Sequence, residues 1–324
     1  MSLLKPNGEC CLRSDEQTHF DPELLAPVER LVPNRVAMDV VGRSLTTFAI
    51  GGSCRAVVTV ETKQELQDVL RLLHLEQQSV VTLGFGSNVL IPDSGVNGWI
   101  VRLGGEFRIS RRSLSGRFSC GAGASLMREA RRASNDGLSG LEFAAGIPGS
   151  FGGAICMNAG AHGSELGELV AQVRGICLEG KTFELRGSEL AWRYRSSGLP
   201  ANFIVTEVDL NLVPGDRDAI HARCLSNLAH RKATQPLSMP SAGSVFKNPS
   251  PTLSAGKVIE EAGLKGYSIG QVSISDLHAN WIVNPSKKGR AADVQELIEH
   301  CKKKVSEVSG IELEPEIRLW NSVG

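Results

Sequence analysis

Several features that would place this chain in a specialised class are missing from its sequence. The 35 lysines and arginines balance the 35 aspartates and glutamates, so the formal net charge is zero. This balance does not indicate a nucleic-acid-binding surface. No apolar run is long enough to span a membrane, and the first residues lack the apolar core of a secretion signal. We therefore expect a cytoplasmic protein that binds neither nucleic acid nor membrane.

Paired cysteines and the common nucleotide-binding loops are also missing. Of the eight cysteines, only Cys10 and Cys11 are close together in the sequence, and no C-x-x-C pair occurs. Such spacing is typical of reduced, mostly buried thiols, and it does not provide the ligand pattern of a zinc site. Neither a G-x-G-x-x-G loop nor a Walker loop is present. We predict no metal site, no Rossmann fingerprint and no P-loop.

The length of 324 residues predicts two or three domains. We expect an N-terminal extension over 1–40 with a short helix near 22–28, and an α/β unit over 41–104. Two α+β units are expected over 105–213 and 214–324. The predicted helices are 66–73 (after a Thr62/Glu65 capping box), 125–135, 217–232, 253–262 and 291–308. The predicted strands are 55–61, 79–83, 89–91, 99–103, 118–120, 170–178, 203–212, 281–283 and 316–320.

Two glycine-rich stretches are candidates for ligand contact. Glycines let the backbone adopt positive φ and present consecutive N–H groups to an anion. The first stretch follows a predicted strand and consists of Gly84, Phe85, Gly86, Ser87 and Asn88. A plain tight turn is the alternative there. The second is apolar, unlike most linkers, and its candidate residues are Gly146, Ile147, Pro148, Gly149, Ser150, Gly152, Gly153 and Ala154.

The segment 241–249 places a hydroxyl, an ammonium and a carboxamide close together, on Ser244, Lys247 and Asn248. A weakly acidic hydroxyl beside cationic and amide donors suits an enzyme that protonates a carbanion while holding an anionic substrate. The alternative is a serine-capped turn that leads into a helix.

Three further positions have both a functional and a structural interpretation. Arg195 beside Tyr194 is either a surface pair stacked on a ring or a guanidinium aimed at a carboxylate. Glu316 leads the terminal strand and is either an exposed edge residue or part of a site. His278 is either a structural histidine or a functional one.

Together these stretches resemble the UDP-N-acetylenolpyruvoylglucosamine reductase (MurB) family. The matching stretches keep the family's order from about Leu45 to Arg318, and they are 46–52, 83–88, 145–150, 157–161, 194–197, 235–236, 242–249, 255–257, 278–280 and 313–316. The resemblance implies a two-part FAD-binding module of the vanillyl-alcohol-oxidase (PCMH) type, followed by an α+β substrate-binding domain. Only two tyrosines occur, and no segment after Ser197 could form the tyrosine loop of the longer subclass. The chain thus resembles the shorter subclass.

The resemblance also implies an activity and residue roles. NADPH, as co-substrate, reduces non-covalent FAD, which reduces the enolpyruvyl ether of UDP-N-acetylglucosamine to UDP-N-acetylmuramate. Ser244 corresponds to the proton donor, while Arg195 and Glu316 correspond to the groups that hold and polarise the substrate carboxylate. A bare carboxylate would repel the developing charge, so we predict a raised pKa for Glu316. The residues implied to bind substrate are Tyr194, Arg231, Lys247, Asn248 and His278.

Two other functions fit the sequence less well. An FAD-dependent oxidoreductase of the same fold could act on another small substrate, but the segment 244–248 together with Glu316 argues against it. A non-catalytic binding protein would be favoured by loss of Ser244, Arg195 or Glu316, and all three are present. The expected partners are small molecules, and the expected state is a monomer or a weak dimer.

Overall fold

A computed structural model describes residues 19–112 and 117–320 of the chain. Cys10, Cys11 and the first 18 residues of the predicted N-terminal extension lie outside the described residues. The predicted helix near 22–28 is confirmed, because a 3₁₀ turn over Pro22–Leu24 runs directly into a helix. In the described part of the chain, no helix has the length and apolar character needed to cross a membrane.

The first region, residues 19–104, is a four-stranded sheet with helices on one face. Its elements are α1 (Leu25–Leu31), β1 (Val36–Val41), β2 (Ser53–Val60), α2 (Lys63–Leu75), β3 (Val80–Thr82), β4 (Val89–Leu90) and β5 (Val96–Leu103). The sheet order is β1-β2-β5-β3, and only β1 runs antiparallel to its neighbour. The predicted capping box opens α2, and the apolar side of α2 is buried. The sheet starts at Val36, within the predicted N-terminal extension over 1–40.

The second region, residues 105–213, is built on an antiparallel sheet. Its elements are β6 (Ser110–Arg112), β7 (Phe118–Gly121), α3 (Leu126–Asn135), β8 (Leu138–Ser139), α4 (Phe151–Cys156), β9 (Gly160–Ala161), β10 (Ser164–Glu165), β11 (Val170–Cys177), β12 (Thr182–Arg186), β13 (Phe203–Leu210) and β14 (Val213–Pro214). The five-stranded sheet has the order β12-β11-β13-β7-β6. The side chains of Phe118, Phe151 and Val208 lie in the core between this sheet and the helices.

The third region, residues 214–320, contains the remaining elements. They are α5 (Arg217–Thr234), β15 (Ser241–Ser244), α6 (Ala255–Glu261), β16 (Ser268–Ile269), β17 (Val272–Ile274), β18 (Trp281–Val283), α7 (Ala291–Ser309) and β19 (Arg318–Leu319). The sheet order is β15-β18-β17-β16, and α6 and α7 share its apolar core. Helix α5 packs on the second region, where Asn227 donates to the Glu142 carbonyl at 3.0 Å.

The C-terminal strand corrects one expectation from the sequence. We expected the strand over 316–320 to belong to the third unit, but β19 pairs in parallel with β4 of the first region. Thr47 Oγ1 also donates to the Ser241 carbonyl at 2.8 Å, and Asn284 donates to the Phe48 carbonyl at 3.0 Å. These contacts hold the third region against the first and place β15 beside the first region.

Candidate active site

A cavity of about 470 Å³ lies where the three regions meet. This volume is in the range typical of small-molecule and cofactor sites. Both glycine-rich stretches contribute to the lining, and so do Arg195, Ser244 and Glu316. The fold therefore brings together at one cavity candidate residues that are spread over more than 200 positions of the sequence.

The first glycine-rich stretch, 84–88, lines the cavity along its whole length. Gly86 has φ +63°, and a Cβ there would lie 2.3 Å from the Leu45 carbonyl oxygen, so this turn requires glycine. Asn88 connects the stretch to the C-terminal strand: its amide donates to the Glu316 carbonyl at 3.2 Å, and its carbonyl accepts from Arg318 N at 3.0 Å.

The second stretch contributes residues 147–150 and 152–154 to the lining. Gly152, Gly153 and Ala154 belong to α4, which the sequence did not predict. Ser87 Oγ donates to the Pro148 carbonyl at 3.2 Å, so the two stretches touch. Because the second stretch approaches so closely, a Cβ on Gly84 would lie 2.1 Å from Ser150 Oγ.

Gly146 is the one residue of the predicted cofactor set that does not line the cavity. A Cβ on Gly146 would lie 2.6 Å from Cδ of Arg231. The missing side chain therefore makes room for an arginine, and Gly146 has a packing role.

Arg195 and Glu316 form an ion pair at the cavity wall, with 2.7 Å between Nε and Oε1. Both side chains are largely buried. Arg195 has φ +59°, which is uncommon for a residue with a Cβ, and its guanidinium lies 4.8 Å from the centre of the Tyr194 ring. The two interpretations of Arg195 thus both apply: it stacks on an aromatic ring and it faces a carboxylate.

Burial raises the pKa of Glu316 above its ordinary value, although the nearby charges of Arg195 and Lys247 act in the opposite direction. The predicted direction of the shift is confirmed. A largely buried carboxyl with a raised pKa is a candidate for proton donation or for holding an anion, because it keeps its proton to a higher pH than an ordinary carboxyl.

Ser244 lies at the end of β15, opposite Trp281 of β18. The alternative interpretation, a serine-capped turn that leads into a helix, does not apply to residues 241–244, because they form a strand. Glu316 is held beside this segment because its backbone N–H donates to the Val245 carbonyl at 2.7 Å. Ser244 and Glu316 are thereby placed on neighbouring stretches of backbone.

Asn280 is a positioning residue to which the sequence gave no role. Its side chain accepts from Phe246 N at 2.9 Å and donates to the Phe246 carbonyl at 2.8 Å. Its own carbonyl accepts from Val245 N at 3.0 Å. The signal in the sequence was an asparagine between Ala279 and Trp281, directly before a predicted strand, where a buried amide needs partners.

Three residues of the predicted substrate set surround a second cavity of about 240 Å³, and they are Tyr194, Lys247 and Asn248. Lys247 pairs with Glu314, and the Tyr194 phenol oxygen accepts from Asn248 N at 3.3 Å. These three predicted residues therefore lie at the second cavity and not at the main one.

Arg231 lines the main cavity from helix α5, which lies where the sequence predicts a helix. Burial lowers its pKa to about 10. In the described part of the chain, its buried Nε lacks a hydrogen-bond partner, and the same holds for Gln235 Oε1 and Trp281 Nε1. All three residues line the main cavity, which indicates a polar ligand, because buried polar atoms are normally paired.

His278 is not brought to the site, since it lines neither cavity. Its Nδ1 accepts from Asn280 N at 3.2 Å, and its ring packs on Gly256. Burial lowers the pKa of the ring. These contacts match the structural interpretation of His278.

The residues around the main cavity fit a flavin nucleotide. Bare backbone at the two glycine-rich stretches suits a diphosphate and a flat ring system, while the unpaired polar atoms can bind the ligand's heteroatoms. Among the described residues, no group of three or more His, Cys, Asp or Glu side chains could hold a metal ion.

Comparison with known proteins agrees with this site. Residues 54–186 match a family described as "FAD binding domain", and residues 235–320 match "UDP-N-acetylenolpyruvoylglucosamine reductase, C-terminal domain". The UDP-N-acetylenolpyruvoylglucosamine reductase 2 of Symbiobacterium thermophilum is 41% identical over 290 residues, which are 89% of this chain and 93% of the relative. The Bacillus subtilis reductase is 39% identical over 277 residues, covering 85% of this chain and 90% of the relative.

A solved structure of a relative has a similar fold. The crystal structure of UDP-N-acetylenolpyruvylglucosamine reductase (MurB) from Thermus caldophilus superimposes with a TM-score of 0.77 at 37% sequence identity. The match covers 89% of this chain and 99% of that one. The expected FAD-binding module and C-terminal domain are confirmed, and the chain belongs to the UDP-N-acetylenolpyruvoylglucosamine reductase family.

Proposed function

We propose that this protein is a UDP-N-acetylmuramate dehydrogenase: with FAD and NADPH it reduces the enolpyruvyl ether of UDP-N-acetylglucosamine to UDP-N-acetylmuramate, a precursor of peptidoglycan. The observation that supports this most directly is the set of three side chains at one cavity. A hydroxyl (Ser244), a guanidinium (Arg195) and a carboxyl of raised pKa (Glu316) share the cavity with two glycine-rich stretches.

The bound FAD would supply the hydride. Residues 84–88 and 147–150 would hold it through backbone N–H groups and the side chains of Ser87, Asn88 and Ser150. Because glycines have no side chain, they leave free the space that the cofactor needs. At Gly84 and Gly86, a Cβ would also collide with neighbouring atoms of the protein. The cofactor is held without a covalent bond in this proposal.

Ser244 would supply the proton. Addition of hydride to an electron-poor alkene leaves negative charge on the carbon next to the carboxylate, and a nearby acid must protonate that carbon. Ser244 is fixed for this task by its strand pairing with Trp281 and by the contacts of Asn280 with the following backbone.

Arg195 and Glu316 would bind the substrate carboxylate and stabilise the charge that develops on it. The guanidinium of Arg195 provides several N–H donors, of which Nε is already directed at Glu316. A neutral Glu316 would donate a hydrogen bond, whereas an ionised one would repel the developing charge. The burial that raises the pKa of Glu316 favours the neutral form.

Tyr194, Arg231, Lys247 and Asn248 would bind the diphosphate and sugar of the substrate. Lys247 would have to exchange its partner Glu314 for a phosphate oxygen. We retain as part of this proposal the division into units 41–104, 105–213 and 214–324, the shorter subclass, a cytoplasmic location, and a monomer or weak dimer that does not bind nucleic acid.

Stopped-flow spectroscopy tests this function. The protein is first reduced with NADPH, and the return of oxidised-flavin absorbance is followed with and without the enolpyruvyl nucleotide. The proposal expects fast reoxidation only with the nucleotide. Flavin binding without this response would indicate an oxidoreductase of the same fold with another substrate, and a protein that cannot be loaded with FAD would contradict the proposal entirely.

A further inference from the structure

The two glycine-rich stretches that line the cavity contain no cationic side chain. Residues 84–88 and 146–154 provide N–H groups, hydroxyls and one amide, but neither lysine nor arginine. The diphosphate of FAD carries two negative charges, and removing them from water is costly unless positive charge is near. If the proposed cofactor is correct, its counter-charges must come from elsewhere in the chain.

Arg102 lies beside the start of the first stretch. It is the penultimate residue of β5, whose buried Trp99 and Val101 pack on the helix side of the sheet. Because strand residues alternate between faces, Arg102 lies on the opposite face, and it lines the cavity. Leu83 N donates to the Val101 carbonyl at 3.0 Å, so the chain that leads into Gly84 runs alongside Arg102.

Arg108 lies beside the second stretch. It ends the 3₁₀ helix over Gly105–Arg108 and also lines the cavity. A Cβ on Gly123 would lie 3.3 Å from Cγ of Arg108, while the neighbouring Ala122 carbonyl accepts from Gly152 N at 2.8 Å. Arg108 therefore approaches the cavity from the side of the second stretch.

The two arginines are close enough to repel each other. Burial lowers the pKa of Arg102, and the charge of Arg108 lowers it further. Within 19–112 and 117–320, no carboxylate forms an ion pair with either side chain. A partly buried guanidinium (Arg102) beside an exposed one (Arg108), without a counter-ion, is unfavourable, and an anion between them would relieve the repulsion.

We propose that Arg102 and Arg108 are the counter-charges of the FAD diphosphate and thereby set the affinity for phosphorylated flavins. The two glycine-rich stretches make the space and supply the N–H groups, and the two arginines supply the matching charge. The UDP moiety of the substrate carries the same diphosphate chemistry. We assign the pair to the cofactor because both arginines belong to the two flavin-binding regions, while Ser244 and Lys247 belong to the third.

The test compares flavins that differ in phosphate. Apoprotein of the wild type, Arg102→Gln, Arg108→Gln and the double variant is titrated with FAD and with riboflavin, following the quenching of flavin fluorescence. Arg112→Gln is the matched control, since Arg112 is exposed and lines neither cavity. The affinity for UDP is measured on the FAD-loaded proteins, which separates the two sources of diphosphate.

Each arginine substitution is expected to weaken FAD binding about tenfold or more, as expected for the loss of a charge-assisted contact. Riboflavin binding should not change, and the UDP affinity should stay at the wild-type value. The double variant should also lose most of the salt dependence of FAD binding. Arg102→Lys, which retains the charge, should recover part of the affinity, and this distinguishes charge from folding.

Equal weakening of FAD and riboflavin would overturn the proposal, because the arginines would then support the fold rather than the phosphates. Unchanged FAD affinity in the double variant would overturn it as well, and so would a loss confined to UDP. These outcomes leave the proposed reductase activity intact. Failure of the wild type to bind FAD at all would contradict the proposed function itself.

Discussion

The part of the cavity that we propose binds the flavin (the flavin-binding part) and the part that we propose carries the reaction (the reactive part) are built from different components of the chain. At residues 84–88 and 147–150, the wall is mainly backbone, and glycines are required where a Cβ would strike neighbouring atoms. At Arg195, Ser244 and Glu316, the wall is made of side chains whose charge and acidity matter. The comparison teaches that the two glycine-rich stretches act through the space they leave free, while the reactive part acts through the charge and acidity of its side chains.

This difference predicts opposite responses to substitution. Removal of a functional group in the reactive part should impair one chemical step and leave cofactor binding unchanged. Addition of a single methyl group in the flavin-binding part should impair cofactor binding and stability together. The following predictions test this contrast.

Ser244→Ala should produce the largest effect. Loss of a positioned proton donor is expected to slow substrate-dependent reoxidation about 1,000-fold, while the reduction of bound FAD by NADPH stays unchanged. Stopped-flow measurement of each half-reaction checks this. Ser241→Ala, on the same strand but outside the cavity lining, is the control. Equal loss of both half-reactions would remove Ser244 from the role of proton donor.

Glu316→Gln should slow reoxidation about 100-fold, the effect typical for one lost contact to developing charge. In the wild type, the rate should fall as the pH rises through the raised pKa of Glu316, because the neutral form is then lost. The variant should lack this decline. Glu296→Gln is the control, because Glu296 is exposed and lines neither cavity. An unchanged rate in Glu316→Gln would return Glu316 to a structural role.

The free energy of unfolding should also depend on the protonation of Glu316. Because the pKa of this carboxyl is raised in the folded state, its stabilising contribution is fully present below the ordinary pKa. That contribution is lost as the pH rises through the folded-state pKa. Urea unfolding of the wild type and Glu316→Gln across this range measures the difference.

Gly86→Ala should lower the free energy of unfolding by about 2–3 kcal/mol, because it combines backbone strain with a steric clash. FAD affinity should fall with it. Gly263→Ala is the control, since Gly263 also has positive φ (+73°) but a Cβ there would meet no atom within 4 Å. That variant should lose only about 1 kcal/mol. Equal losses of unfolding free energy in the two variants would show that the contact with the Leu45 carbonyl does not matter at Gly86.

His278→Ala should have the smallest effect on turnover. The ring lines neither cavity, so kcat/KM should stay within about threefold of the wild type, since the side chain makes no contact that changes in the transition state. Stability should fall by about 1 kcal/mol through the lost hydrogen bond from Asn280. A large rise in KM with unchanged stability would restore the predicted substrate-binding role.

The fold could be predicted where elements bury an apolar side. Helix α2 and the strands β2, β5 and β18 have clear periodic patterns, and each was located to within a few residues. The strands β1, β6 and β12 were missed because their side chains are mostly exposed and show little alternation. Their pairing is decided by backbone contacts with a neighbour, and those contacts leave no local pattern in the sequence.

The site could be predicted only in part. The glycine-rich stretches and the segment 241–249 could be singled out because their local composition is unusual. The pairing of Arg195 with Glu316 joins residues 121 positions apart, and no spacing rule connects them. Arg102 was hidden because it lies in an otherwise apolar strand, and its orientation toward the cavity depends on which face of the sheet the helices cover. The role of Asn280 likewise depends on a neighbouring strand.

The hydrogen bonds between Asn88 and the C-terminal strand have a consequence for biosynthesis. The Asn88 amide meets the Glu316 carbonyl across 228 residues of sequence. During translation, the loop over 84–88 leaves the ribosome long before this partner exists, and such distant contacts form late in folding. A nascent chain arrested near residue 310 would therefore lack Glu316 and the hydrogen bonds that this strand makes with Asn88. Assembly with FAD is thus expected only after the final strand has been made.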